Sequence, residues 1–198
     1  MTRVPFVGLT GGLGAGKSTA LAVLERLGAA TLSTDAVVHE LYAAAEVRDA
    51  LVARWGAQVA PQGVVDRAQV AACAFAAADE RAWLEAQLWP RVRERVAAWR
   101  EQVERREPAP VAAIVETPLL FEAGMEEVYD ATIAVIADEH VRAERAAARG
   151  HVAAGERVAR QLSQEEKARR ATFTVHNSDT VEVLEQQLSS LLDRLPRS

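Results

Sequence analysis

Residues Gly11-Gly12-Leu13-Gly14-Ala15-Gly16-Lys17-Ser18 satisfy the pattern G-x-x-x-x-G-K-[ST] close to the start of this 198-residue chain. What such a pattern means depends on its flanks. Before it runs Val4-Pro5-Phe6-Val7-Gly8-Leu9, a short apolar stretch of strand type. After it, Thr19 to Leu27 sets Leu21, Val23, Leu24 and Leu27 at helical spacing. A strand, a glycine loop and a helix in that order form a nucleotide-phosphate cradle. The glycines let backbone N–H groups turn inward around phosphate oxygens, and the helix N-terminus adds its positive dipole. Lys17 is expected to reach the β- and γ-phosphates, and the Ser18 hydroxyl to coordinate Mg²⁺. The competing reading, a glycine-rich turn that binds nothing, does not explain why pattern and flanks agree.

Composition sharpens the reading of Lys17. Of the 23 basic residues only Lys17 and Lys167 are lysines; arginine serves everywhere else. A phosphate loop needs a compact ammonium, and there the chain keeps one. The net charge of −5 gives no global field for nucleic acid, so no nucleic-acid partner is expected. The single cysteine, Cys73, excludes an intramolecular disulfide and is expected to be a buried structural thiol. No apolar run is long enough to span a membrane. The first strand begins at once, without a leader pattern, so a cytoplasmic location without membrane attachment is expected.

Along the chain, Ala29–Leu32 reads as a second strand ending at Ser33-Thr34-Asp35, and helices follow over Asp35–Tyr42 and Glu46–Trp55. Gly56 and Pro61-Gln62-Gly63 break the pattern before a helix over Ala68–Ala77. A long helical stretch runs from Asp79 to about Arg106 and is expected to be interrupted at Pro90. Val111–Val115 is a continuous apolar run of the kind found in a strand buried on both faces, and Thr132–Ala137 repeats it. Phe173–His176 is a last strand, and Thr180 to about Leu195 an amphipathic helix. Strands alternating with helices imply an α/β fold with a parallel sheet flanked by helices. The expected division is a core over about 1–35, 111–141 and 171–198, a helical acceptor-binding insertion over about 36–110, and an arginine-rich lid over about 142–170. Substrates should meet outside the carboxyl ends of the strands.

Three places carry further chemistry. Asp35 follows the second strand and is a candidate general base for a substrate hydroxyl; helix capping is an equal alternative. Glu116 ends an apolar strand and could hold a water on Mg²⁺, or be a plain strand-end carboxylate. Glu122 is a second carboxylate near the same edge. Arg142, Arg145 and Arg149 share one helix face directly after the presumed fourth strand, where a lid able to neutralise developing charge would begin. A solvated face paired with glutamates is the alternative. The histidines are scattered without metal-ligand spacing. Trp55, Trp83, Trp89 and Trp99 lie in the helical segment, first as core, second as a face for a nucleobase or pantetheine chain.

Ordered along nearly the whole chain, further motifs make it similar to the dephospho-coenzyme A kinases. They are Val7–Thr19, Leu27-Gly28 followed by Thr34-Asp35, Gly63-Val64-Val65-Asp66-Arg67, Leu84-Glu85 with Pro90, the word Pro118-Leu119-Leu120-Phe121-Glu122, then Arg145, Arg149, Arg157, Gln161 and finally Asn177. The loop alone is shared by many NTPases; the Pro118–Glu122 word and its distance from the loop are far more specific. The resemblance implies a P-loop kinase with ATP and Mg²⁺, phosphorylating the ribose 3′-hydroxyl of dephospho-CoA. It implies nucleotide contacts from Gly12, Leu13, Gly14, Ala15, Gly16, Lys17, Ser18, Thr19, Arg149 and Asn177, with Mg²⁺ at Ser18 and Glu116. Acceptor contacts fall to Thr10, Asp35, Arg67, Leu119, Glu122 and Gln161. Asp35, Lys17 and Arg145 are the implied catalytic residues. The family's histidine before Pro90 is Trp89 here, and its terminal glycine is Asp179. Another small-molecule or nucleoside monophosphate kinase is the rival reading. A GTPase switch would need an N/T-K-x-D stretch, which does not occur, and a non-catalytic module would have no use for Asp35. A monomer is expected, with weak homo-oligomerisation as the alternative.

Overall fold

The computed structural model describes residues 3–148 and 161–196. The chain divides into two compact units, Met1–Ser33 with Arg100–Ser198, and Thr34–Trp99.

The first unit is built on five parallel strands: β1 (Phe6–Gly11), β2 (Ala30–Ser33), β3 (Ala113–Glu116), β4 (Ala131–Ile136) and β5 (Phe173–His176). Their order across the sheet is β2-β3-β1-β4-β5. The strand that enters the glycine loop is therefore central. Its neighbours are in register through Leu9↔Glu116 on one side and Leu9↔Ile133 on the other. Parallel strands need crossovers, and these supply the helices. Between β1 and β2 runs α1 (Lys17–Arg26). Helices α6 (Glu139–Ala148) and α7 (Gln164–Arg170) lie between β4 and β5 in the chain, and α8 (Val181–Asp193) follows β5.

Period-two alternation on β1 sorts its side chains onto two faces. Val7 and Leu9 join Val23 and Leu24 of α1, Leu184 and Leu188 of α8, and Ile114 and Ile133 in the main core. On the other face Phe6 stacks on Tyr129 with ring centroids 4.9 Å apart, and Thr10 is fully buried. Burying a leucine or valine side chain contributes about 1.5–3 kcal/mol. That face-by-face filling, more than helix propensity, holds α1 and α8 in place. Thr180 caps α8 by accepting from Val183 N.

The second unit is helical: α2 (Thr34–Ala43), α3 (Ala45–Trp55), α4 (Arg67–Ala76) and the larger part of α5 (Ala78–Glu104). Val37 and Leu41, Val47 and Leu51, and Val70 and Ala74 repeat at four-residue spacing and are buried. Trp55 and Trp83 meet edge to face at 5.1 Å. Glu80 accepts from Trp55 Nε1 at 2.7 Å and from both Nε and Nη2 of Arg54, and these bonds hold its carboxyl below the usual range. Those two tryptophans are thus partnered by each other, while Trp89 is 39% exposed. Cys73 is half-buried, not buried as the alanine-rich run suggests.

Pro90 does not interrupt the long helix; α5 is continuous through it. A proline removes one backbone donor and crowds the preceding turn. The guanidinium of Arg91 donates to Gln87 O in that turn at 2.6 Å, so part of the disturbed ladder is bonded by a side chain.

Candidate active site

The loop between β1 and α1 takes its shape from glycines that no other residue can replace. Gly14 has φ +76° and Gly16 φ +88°, left-handed values that disfavour any side chain. Space forbids one too. A Cβ on Gly16 would lie 1.9 Å from Asn177 Nδ2, and one on Gly14 2.4 Å from Arg142 O. Gly16 caps α1 with no side-chain bond, so the helix's first N–H groups stay available to an anion. Ser18 is exposed in that first turn, and Thr19 is half-buried beside it.

Lys17 Nζ donates to Gly12 O at 3.3 Å and stands 3.9 Å from Glu116 Oε1. Both distances are long for an ammonium, and the Lys17 side chain is 15% exposed. Glu116, the last residue of β3, is buried, and its Oε2 accepts from Ser33 Oγ at 2.7 Å. The sheet register pairs Ser33 with Glu116 and Glu116 with Leu9. One edge of the sheet thus gathers a hydroxyl, a carboxylate and an ammonium.

Arginines reach the loop from α6. Arg142 Nε donates to Leu13 O at 3.0 Å, and its Nη1 pairs with Glu139 at 2.7 Å. Arg145 Nη1 donates to Asn177 O at 2.8 Å, and Asn177 Nδ2 donates in turn to Ala15 O at 2.8 Å. Asn177 is 3% exposed. The face carrying Arg142 and Arg145 is engaged with the loop and its support, although Arg142 also keeps a glutamate partner. Arg149 and Arg157 lie outside the described residues, as does most of the stretch between α6 and α7.

The remaining predicted residues fall in several places. Asp35 sits exposed in the first turn of α2, two residues after Ser33 closes β2; a carboxylate there is favoured by the helix dipole. Arg67 is the first residue of α4, whose cap is Asp66, accepting from Ala68 N and Gln69 N. Leu119 is half-buried, as is Gln161. Thr10 and Glu122 turn inward. The Thr10 hydroxyl donates to Pro118 O at 3.1 Å, and Glu122 Oε1 pairs with Lys167 Nζ at 2.8 Å while accepting from Leu162 N at 2.8 Å.

Sequence reasoning assigns Lys167 no role, and it places Arg142 on the lid face while naming only Arg145 as catalytic. The scarcity of lysine is a signal for both lysines, but only Lys17 lies in a motif that claims it. Burial pushes the Lys167 ammonium down from its ordinary value, while the bond and charge of Glu122 push it back up. Burial raises the Tyr129 phenol, whose oxygen lies 3.1 Å from Thr117 Oγ1.

This arrangement has known relatives. A protein of Deinococcus radiodurans named dephospho-CoA kinase is 40% identical over 192 residues, covering 96% of this chain and 91% of that protein. The dephospho-CoA kinase of Moorella thermoacetica is 36% identical, covering 97% of this chain and 92% of its own. A solved protein of Thermus thermophilus superimposes with a TM-score of 0.79 at 32% identity, covering 98% and 99% of the two chains. The dephospho-CoA kinase structure from Campylobacter jejuni shares the fold, with a TM-score of 0.67 at 22% identity and 95% coverage of both chains. The sequence model described as dephospho-CoA kinase matches residues 5–182, and with the parallel sheet and its phosphate loop this establishes that the chain belongs to the dephospho-CoA kinase family.

Proposed function

We infer that the chain transfers the γ-phosphoryl group of ATP to the ribose 3′-hydroxyl of dephospho-CoA, giving CoA and ADP. The observation that supports this most directly is the loop itself: Gly14 and Gly16 hold left-handed backbone, α1 begins without a side-chain cap, and Lys17 Nζ stands at the loop 3.3 Å from Gly12 O. A phosphate oxygen offers the ammonium a shorter, charged bond and would draw it from Gly12 O. The loop amides and the first turn of α1 then hold the β- and γ-phosphates.

The acceptor hydroxyl needs a base and an orientation. Asp35 takes that role as a solvent-reached carboxylate just past β2, accepting the proton as the O–P bond forms. Arg145 neutralises charge on the migrating group, and Arg149 assists it. Arg67, Leu119 and Gln161 contact the acceptor. Asn177 holds Ala15 O from the interior and thereby the shape of the loop near the nucleotide. A lid within about 142–170, beginning at α6 with Arg142 and Arg145, would exclude water, which otherwise competes as acceptor, while α7 at its far end is anchored by the buried Lys167.

Mg²⁺ suits the donors present. The Ser18 hydroxyl and the Glu116 carboxylate are hard oxygen ligands of the kind that hold this ion through few protein groups, with phosphates and waters completing its shell. When bound it would neutralise charge on the β- and γ-phosphates. Ser33 fixes the rotation of the Glu116 carboxylate by its 2.7 Å bond to Oε2.

Among the described residues no helix is long and apolar enough to cross a membrane. The reading adopted is a cytoplasmic monomer acting on two small substrates, without nucleic acid. ADP release measured with dephospho-CoA, adenosine, AMP and pantetheine phosphates as acceptors tests the assignment. Dephospho-CoA should be strongly preferred, with the new phosphate on the 3′-oxygen by phosphorus NMR. Equal turnover of AMP would overturn the acceptor assignment.

A further inference from the structure

Lys167 is fully buried, and its three donors meet three acceptors from two parts of the chain: Glu122 Oε1 at 2.8 Å and Pro118 O at 2.8 Å from one segment, and Thr10 Oγ1 at 3.4 Å from β1. Thr10 closes part of the circuit by donating to the same Pro118 O at 3.1 Å. Glu122 Oε1 also accepts from Leu162 N, which leads into α7, the helix that carries Lys167. Among the described residues Oε2 of Glu122 is buried without a hydrogen-bond partner, so the carboxylate's bonding to them goes through Oε1.

The segments joined are those the reaction needs in register. Thr10 stands directly before Gly11-Gly12. Pro118 follows Glu116 by two residues, and Thr117 N donates to Leu9 O at 2.8 Å. Leu120 and Tyr129 pack against Gly8 on the same face of β1. A buried ion pair is weak evidence for stability, because an apolar pair of similar volume often serves as well. A guanidinium, planar and with a fixed fork, could not meet three acceptors spread around one nitrogen. The chain uses arginine everywhere except here and at the phosphate itself.

We propose that Lys167 is a positioning residue for phosphoryl transfer, setting the root of the phosphate loop against the Glu116-Thr117-Pro118 segment through Thr10, Pro118 and Glu122. On this reading Thr10 and Glu122 support the site from within and do not touch the acceptor. The proposal rests on the phosphate-loop reading given above. Misplacement of reacting groups by about 1 Å can cost on the order of 10²-fold in rate, so a strut in this place has catalytic leverage.

The test separates positioning from bulk stability. Lys167→Met alone strands the Glu122 charge, and its stability loss says nothing about position. In Lys167→Met/Glu122→Gln the charge is gone, and the new side-chain amide oxygen can still accept from Leu162 N. Unfolding midpoint, direct calorimetric binding of ADP, and both steady-state constants are then compared with the wild type. Expected are a recovered midpoint, ADP binding about tenfold weaker, kcat lower by about tenfold or more, and an acceptor KM within about twofold. Wild-type ADP binding and kcat in the stable double variant would overturn the proposal. If that protein does not fold, Thr10→Val decides, since it removes one hydroxyl and leaves the ion pair. Weaker ADP binding with unchanged acceptor KM supports the proposal; an effect confined to acceptor KM, or no effect, overturns it. Absence of dephospho-CoA turnover in the wild type would sink the functional reading, while the ADP-binding arm would still report on Lys167.

Discussion

The two lysines of this chain occupy opposite regimes within the same unit. Lys17 has contacts at 3.3 and 3.9 Å and a side chain 15% exposed. Lys167 has two contacts at 2.8 Å, a third at 3.4 Å and no exposure. One ammonium stands at the phosphate loop, where an incoming phosphate oxygen can offer it a short, charged bond. The other is saturated and joins strands that must not drift. Both sites exclude arginine, for different reasons: the first needs a compact charge in an amide cradle, the second a nitrogen with donors pointing in three directions.

Substituting each lysine in turn would break or sharpen this contrast most strongly. Lys17→Ala should lower kcat by about 10³-fold, the scale of removing a preorganised electrostatic group, while shifting stability by only about 0.5 kcal/mol. Lys17→Arg should fail as well, and near-normal turnover in that variant would sink the cradle argument. Lys167→Met should cost about 3–5 kcal/mol in a urea unfolding titration, because it leaves Glu122 buried without its counter-charge. If Lys17→Ala proved the less stable of the two, the division into grip and strut would be wrong.

Next in size is Asp35→Asn. It keeps the shape and removes the proton acceptor, so kcat should drop by roughly 10²-fold with ADP binding intact. Loss of folding with unchanged turnover per folded molecule would reduce Asp35 to a helix-terminal charge. Arg145→Ala should lower kcat more than it raises the acceptor KM, by about tenfold, since its charge matters most in the transition state. Arg67→Ala should do the reverse, and identical kinetic signatures would argue against separate roles.

The smallest effect is in alkaline stability. The unfolded Lys167 keeps its proton up to its ordinary value, while the folded one, lowered by burial, releases it earlier. Between those points the unfolded state binds more protons, so this group makes stability rise with pH. Tyr129, raised above 10.0 by burial, acts oppositely: its contribution is present below that value and is lost as pH climbs through the folded pKa. Lys167→Met should remove the rising component and leave the fall. Unfolding free energies from about pH 8 to 11 that run parallel in the two proteins would contradict this.

Much of the architecture is readable from the sequence because the responsible signals are local. Glycines, flanking strand and amphipathic helix follow one another without a break, and the apolar runs of β3, β4 and β5 announce themselves without partners. β5 spans the expected residues, and the other strands differ from the expected ones by a residue or two at their ends. What stays hidden is long-range. Glu122 reads as a carboxylate at a substrate edge until Lys167 is brought beside it. Pro90 reads as a break because the rule is local, whereas α5 runs on through it, with Arg91 donating to Gln87 O in the neighbouring turn. Asn177 reads as a strand-end residue and, through the resemblance, as a nucleotide contact; its grip on Ala15 O spans 162 positions and is not visible in the sequence.

That last bond bears on synthesis. The loop's glycines are made well before the amide that holds Ala15 O, which follows 162 residues later. Val175, Leu184, Leu188 and Leu191, which complete the core behind α1, are later still or close to it. A nascent chain that carries the whole phosphate motif therefore lacks both the backing of its loop and one wall of its core. Nucleotide capture must wait until Asn177 and α8 have been made, and a product cut short before Asn177 would retain the motif without the competence.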